Sequence, residues 1–284
     1  MIRFFKEFWL AIKSYWLALR FIKDNKLYWY FLIPAILMLI IFQLGTRIIN
    51  RNIDADLSNM NGIVWYFIMA TIDISVAILL MKFTKYIVVI VLSPLLSHLS
   101  QRCEKIMTGN TYKIEFKQII KDVRRGVQLA LRNIIWEYFF FFVILIIAYI
   151  GWNEPKQSPL FYITFLIGFY YYGFSFIDYD NERRKLDELQ SISFVRSHRG
   201  LAMGIGMIYS LLILVPVNLT TLFSVSDYQN LIFKDYLKIL LHLLLWICAS
   251  IAPILAIVSA SIAMDELKRE TPEDFSEENL EESI

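Results

Sequence analysis

The sequence predicts an all-α integral membrane protein, and three observations lead there. Hydrophobic residues make up 57% of the 284 positions and the mean hydropathy is +0.52, against the roughly 45–50% apolar content of soluble domains. Charged residues, 19% of the chain, are unevenly placed, and residues 200–226 contain no Asp, Glu, Lys or Arg. Uncharged runs of about 18 residues or more recur, a length that spans a bilayer and that soluble core helices seldom reach. The pattern reads as one membrane domain over residues 1–264 followed by an acidic tail over 265–284.

Residues 2–24 form the first element. At 100° per residue Arg3, Lys6, Glu7, Lys13, Ser14, Arg20 and Asp24 share one side, and Phe4, Phe5, Phe8, Ile12, Tyr15, Trp16, Leu19 and Ile22 the other. A basic polar face opposite an aromatic face predicts an amphipathic helix lying in the membrane interface, or one packed on other helices. Residues 27–46 are the first uncharged run; Tyr28-Trp29-Tyr30 at its start resembles an interfacial aromatic belt. Residues 63–100 carry only Asp73, Lys82 and Lys85 as charges. As one helix they would extend roughly 57 Å, about twice the hydrocarbon thickness, so the helix tilts and projects into water or bends near Ser93-Pro94.

Residues 101–133 hold eight Lys/Arg against three Asp/Glu and read as aqueous or interfacial. Two apolar hairpins follow. One joins 136–152 to 157–177 through Asn153-Glu154-Pro155-Lys156; the other joins 200–226 to 239–264. Between them, 178–199 is charged and helical in character. The last 20 residues contain nine acids and two bases and read as disordered or as a solvated helix end.

The connections divide by charge. The N-terminal segment, 101–133, 178–199 and the tail hold 21 of the 28 Lys/Arg, and the opposite connections hold five, Arg47, Arg51, Lys156, Lys234 and Lys238. The positive-inside rule then puts both termini in the cytoplasm. Ile, Lys and Asn usage suggests a bacterial chain, hence an inner (cytoplasmic) membrane. The charged, aromatic N-terminus does not match a cleavable signal peptide.

Several residues are candidates for chemistry. Asp73 sits within an apolar run, where a carboxylate costs roughly 2.5–3.5 kcal/mol on insertion scales; it needs a partner, a cavity or a proton path. His242 lies one turn past Lys238, as a snorkelling interface residue or a relay. Asn218 opens an Asn218-Leu219-Thr220 glycosylation pattern at membrane depth. Asp178, Asp180, Glu182, Arg183, Arg184, Lys185, Arg196, His198 and Arg199 crowd the join between the hairpins, either as an anion vestibule or as a connector whose charges pair with one another. Pro34, Pro94, Pro216 and Pro253 can each break a helix, a device transporters use to build ion sites, although many membrane helices carry Pro for packing alone. Gly204-Ile205-Gly206 reads as helix packing. Cys103 and Cys248 have no nearby Cys or His with which to make a disulfide framework or zinc site. No P-loop, G-x-S-x-G or H-E-x-x-H occurs, so no enzyme, cofactor or metal centre is expected, and nucleic-acid binding is not expected either.

From 171 to 218 the order of motifs becomes specific: Asp178-Tyr179-Asp180-Asn181, Ser193-Phe194-Val195-Arg196-Ser197-His198-Arg199-Gly200, Leu201-Ala202-Met203-Gly204-Ile205-Gly206 and Val215-Pro216-Val217-Asn218. With Leu32-Ile33-Pro34, Ser93-Pro94-Leu95-Leu96 and residues 253–264, this resembles the CysZ-like family of bacterial sulfate permeases and etoposide-induced membrane proteins. The resemblance implies two long transmembrane helices and two further apolar helical hairpins, crossing or re-entrant. It also implies a homo-oligomer and transport of a small inorganic anion, sulfate in the bacterial members. Those members carry a Pro-Gly-x-Arg-Arg-like stretch before the first membrane helix; here Asn25-Lys26-Leu27-Tyr28-Trp29-Tyr30 stands instead. Lys26 keeps charge without the guanidinium fork that suits an oxyanion.

The expected function is therefore anion transport, with Arg183, Arg184, Arg196, Arg199 and Lys26 as the candidate anion path. The alternative is a non-transporting membrane scaffold or a lipid- or partner-binding protein. The expected partners are the lipid bilayer, an inorganic oxyanion and further copies of the chain.

Overall fold

The computed structural model describes residues 2–49, 91–110, 116–152, 157–213 and 233–275, together with the single positions 64 and 69. Among them there are helices and turns and no strand. In order these are α1 (Ile2–Asp24), a 3-10 turn (Leu27–Phe31), α2 (Leu32–Ile49), α3 (described over 91–108), α4 (Phe116–Gly151), α5 (Pro159–Arg183), α6 (Glu188–Ser197), α7 (Arg199–Ile213), α8 (Phe233–Glu270) and a final 3-10 turn (Pro272–Phe275).

Among the described residues three helices are long and apolar enough to cross a membrane: α4 over Arg124–Gly151, α5 and α8. The segments Ile2–Asp24 and Leu27–Ile41 pass the same test only as a pair bent by 113°. If α2 crosses the bilayer, that bend leaves α1 near its plane. Lys26 makes the corner, in the left-handed region at φ 56°. The 15-residue α7 is apolar but shorter, reaching about 22 Å. This is the fold of an all-α membrane protein.

The core runs through α8, whose segment from Ala249 to Met264 is almost wholly buried, while the apolar surface of α4 is exposed nearly all round. A membrane helix needs no water-hiding partner for its apolar face, because lipid tails cover it. What joins these helices is close backbone approach. A Cβ built on Gly206 would lie 1.7 Å from the Phe169 carbonyl oxygen, and one on Gly173 would lie 1.8 Å from that of Ala202. α5 and α7 thus touch main chain to main chain, which only glycine permits. α1 crosses α7 likewise at Gly200 and Gly204, and the Tyr15 hydroxyl donates to the Ile205 carbonyl at 2.7 Å.

α1 combines the two alternatives drawn from its sequence. Glu7, Leu10, Ala11, Ser14, Ala18 and Ile22 are buried against α7 and α8, while Phe5, Trp9, Trp16 and Leu19 stay exposed. Glu7 and Ser14 thus leave the solvated face assigned to them; Arg3 Nε holds Glu7 at 2.9 Å, and Ser14 Oγ donates to the Leu10 carbonyl at 2.8 Å.

The described prolines do not break helices, a correction to their sequence reading. Pro34 falls in the first turn of α2, where its missing N–H would have had no helical partner. α3 continues through Pro94, and α8 runs unbroken through the buried Pro253. Pro216, Asn218 and Asp73 lie outside the described residues. The acidic segment from residue 265 starts as the end of α8, with Leu267 still buried, and then turns back onto the protein.

Candidate functional site

The charged join between α5 and α7 is ordered by local signals. Lys185 takes φ 60°, turning the chain out of α5. Asp187 and Gln190 form a reciprocal capping box at the start of α6 (Gln190 N to Asp187 Oδ1 2.7 Å, Asp187 N to Gln190 Oε1 3.0 Å). Asp178, buried near the end of α5, is gripped from α4 by Arg125 through Nε to Oδ2 at 3.0 Å and Nη2 to Oδ1 at 2.9 Å. Arg125 also donates to the Leu186 carbonyl at 3.0 Å, and Ser191 Oγ donates to Asp178 at 2.6 Å.

The four candidate arginines separate into two pairs. Arg183, with a side chain only 6% exposed, is ion-paired to Glu104 at 2.6 Å and to Asp180, and donates to Ser100. Arg184 stacks over the rings of Phe275 (4.2 Å) and Phe194 (4.9 Å) and donates to Asn181 Oδ1. Burial holds its guanidinium below the ordinary arginine range, with Asp180 working against that. Both side chains are committed to holding α3, α5, α6 and the final turn together. Neither lines the cavity described next.

Arg196 and Arg199 are exposed, and among the described residues neither makes an ion pair; Arg199 Nε donates only to the Arg196 carbonyl, at 2.9 Å. Both line a cavity of about 490 Å³ between α4, α5, α6 and α7, with Phe4 of α1 at its edge. From α4 come Arg132, Trp136 and Phe140, and from α5 Tyr170 and Phe174. Arg132 is a third guanidinium that the sequence reading did not single out. It donates to Glu188 at 3.1 Å and lies 4.7 Å over the Phe174 ring. The i, i+4, i+8 spacing of Arg132, Trp136 and Phe140 on one helix was the available signal.

Lys26 is exposed at the α1–α2 corner and is not among the residues lining this cavity. His242 is half-buried on α8. Cys103 is buried and Cys248 half-buried, both free. Among the described residues no group of three His, Cys, Asp or Glu gathers to hold a metal.

A second polar knot ties the chain's two ends. Arg3 on α1 donates to Asp274 at 2.9 Å and to His198 Nε2 at 2.7 Å, while His198 Nδ1 lies 2.9 Å from the Phe194 carbonyl. These contacts fix a neutral imidazole, with Nδ1 the donor and Nε2 the acceptor. Burial pushes His198 below its ordinary pKa, against the opposing pull of the Phe194 carbonyl and Glu7, and with further help from Arg3.

The helical membrane architecture, and the charged join carried by α5, α6 and α7, coincide with a family match. The family described as sulfate transporter CysZ/etoposide-induced protein 2.4 matches residues 14–224. The chain belongs to this family. No curated protein matches it. The matched span takes in α1 from Ser14, the corner at Lys26 and every residue lining the arginine cavity except Phe4. Membership agrees with the resemblance read from the motif order around Asp178 and Arg196, and with a helical membrane protein.

Proposed function

We propose that the chain is a membrane transporter of a small inorganic oxyanion, sulfate being the first to test, and that Arg196 and Arg199, backed by Arg132, receive the ion. One observation carries this reading beyond family membership. Two guanidiniums face a cavity with no carboxylate partner among the described residues, whereas Arg3, Arg125 and Arg183 are all ion-paired. A planar fork donates two parallel N–H bonds to a tetrahedral oxyanion, and three forks converging on one mouth concentrate anions there. The mouth belongs to the Lys/Arg-rich side, so the proposal includes a cytoplasmic placement of this end in a bacterial inner membrane, with a homo-oligomer as the assembly.

Proteoliposomes loaded with purified protein and given labelled sulfate or sulfite test the reading. Saturable uptake that falls at least about tenfold in Arg196→Gln/Arg199→Gln supports it. Uptake at the level of empty vesicles, under conditions where an established sulfate permease works, sinks it. The second reading, a non-transporting lipid- or partner-binding protein, is favoured by the exposed Tyr28 and Trp29 standing where the resemblance led us to expect paired arginines. Co-purification of a stoichiometric partner without flux would favour that alternative.

A further inference from the structure

The arginine cavity is larger and more apolar than an inorganic anion requires. Its 490 Å³ falls in the range of sites for drug-sized ligands. Polarity changes along its length. Arg132, Trp136 and Phe140 lie on successive turns of α4, so the wall passes from guanidinium to ring over about 12 Å. Leu166 and Ile167 of α5 extend that wall away from Arg196 and Arg199. Trp136 is 48% exposed and Leu166 47%, both on spanning helices, so the apolar half opens sideways to the surface that lipid covers. A water-borne anion uses the charged end alone; a bilayer amphiphile uses both.

We propose that this groove binds an anionic phospholipid of the surrounding bilayer, its phosphate on Arg196 and Arg199 and an acyl chain along Trp136, Phe140 and Leu166. Charge complementarity selects the occupant. Among the described residues the one ion pair of these three arginines is Arg132 with Glu188, which does not line the cavity, and Asp178, itself paired to Arg125, adds a pull on Arg132 alone. The excess positive charge favours a head group with net negative charge over a zwitterionic one. The inference rests on the reading of Arg196 and Arg199 as anion-receiving groups, and it adds a regulation of that site, because lipid phosphate and inorganic anion compete for the same forks.

Native mass spectrometry tests this on the full chain released from nanodiscs containing equal phosphatidylglycerol and phosphatidylcholine, with no anion gradient present. The expected result is one retained phosphatidylglycerol per chain, preferred roughly thirtyfold, as two arginines at their usual head-group contribution imply. Arg196→Gln/Arg199→Gln should abolish the preference, and Arg196→Lys/Arg199→Lys should keep most of it, because phosphate accepts a point charge. Phe140→Ala should weaken retention of both lipids while leaving the preference.

Equal retention of the two lipids by the wild type overturns the proposal. So does a preference unchanged in the Gln pair, or a lipid-free oligomer whose interface covers Trp136. Retention is read without flux, so the two proposals fail separately. Sulfate uptake with no lipid preference removes the lipid site alone, and lipid preference with no uptake removes the transport reading alone.

Discussion

Arg125 and Asp178 join α4 to α5 through a buried two-pronged ion pair, and removing both partners should cost clearly less than the two single removals added together. Arg125→Ala deletes three hydrogen bonds, two to Asp178 and one to the Leu186 carbonyl. It leaves a carboxylate whose side chain is 7% exposed with the Ser191 hydroxyl as its remaining donor in this network. Breaking a buried pair in this way costs about 3–5 kcal/mol. Arg125→Ala/Asp178→Ala removes the stranded charge as well, so its cost should fall short of the sum of the single costs by about 2–3 kcal/mol, a coupling typical of partners in one network. Unfolding in mixed micelles, followed by tryptophan fluorescence, measures all three variants. Costs that add to within about 0.5 kcal/mol would show that the pair is not coupled, and the account of this join would fail.

Three further outcomes follow from contacts elsewhere. Gly206→Ala should prevent folding or cost more than about 3 kcal/mol, above the usual penalty for overpacking, because the obstructing atoms are backbone and no rotamer change relieves them; yield of monodisperse protein reads this out. His198 is held neutral, with a pKa below its unfolded value of about 6.5. Its contribution to stability should be complete above that pH and diminish as pH falls below it, since the unfolded chain takes up the proton first. Melting temperature against pH should therefore drop less steeply in His198→Asn. Lys26→Gly keeps the left-handed corner and removes its charge. Stability should hold or rise by up to about 1 kcal/mol, with sulfate binding within about twofold of wild type; a tenfold loss would place the anion at the corner instead.

Much of the helical architecture was legible because apolar runs of bilayer length have few other uses. The unresolved choices were ones that periodicity cannot make. In α1 the 100° pattern separates two faces but does not say which meets protein. Glu7 and Ser14 look solvated until Arg3 and the Leu10 carbonyl are seen to satisfy them. Proline positions suggested breaks, but a proline in a first turn costs a helix little, and one inside a membrane helix is tolerated where the surroundings satisfy the freed backbone groups. The site was half legible. Motif order marked the charged join, yet pairing splits its arginines: Asp178 is claimed by Arg125, 53 positions away, and Arg183 by Glu104, 79 positions away. Phe275 closing over Arg184 was invisible, because an acidic tail carries no periodic signal.

The charge layout of α6 explains why Arg196 is left over. The acids of α6, Asp187 and Glu188, stand at its start, where they cap the helix and suit the positive end of its dipole. Arg196 stands in its last turn, eight residues and about 12 Å beyond Glu188, too far for the two to meet. The same dipole logic that stabilises the helix therefore leaves its basic end unneutralised, facing the cavity. Placing a carboxylate one turn before Arg196 reverses this without touching any arginine. Ile192→Glu puts an acid at i, i+4 on the cavity wall, the favourable orientation for a Glu–Arg pair. Sulfate uptake and the anionic-lipid preference should then fall about as far as in Arg196→Gln, while the melting temperature stays within a few degrees. If Ile192→Glu leaves both readouts at wild-type level, uncompensated charge is not what draws an anion to this mouth.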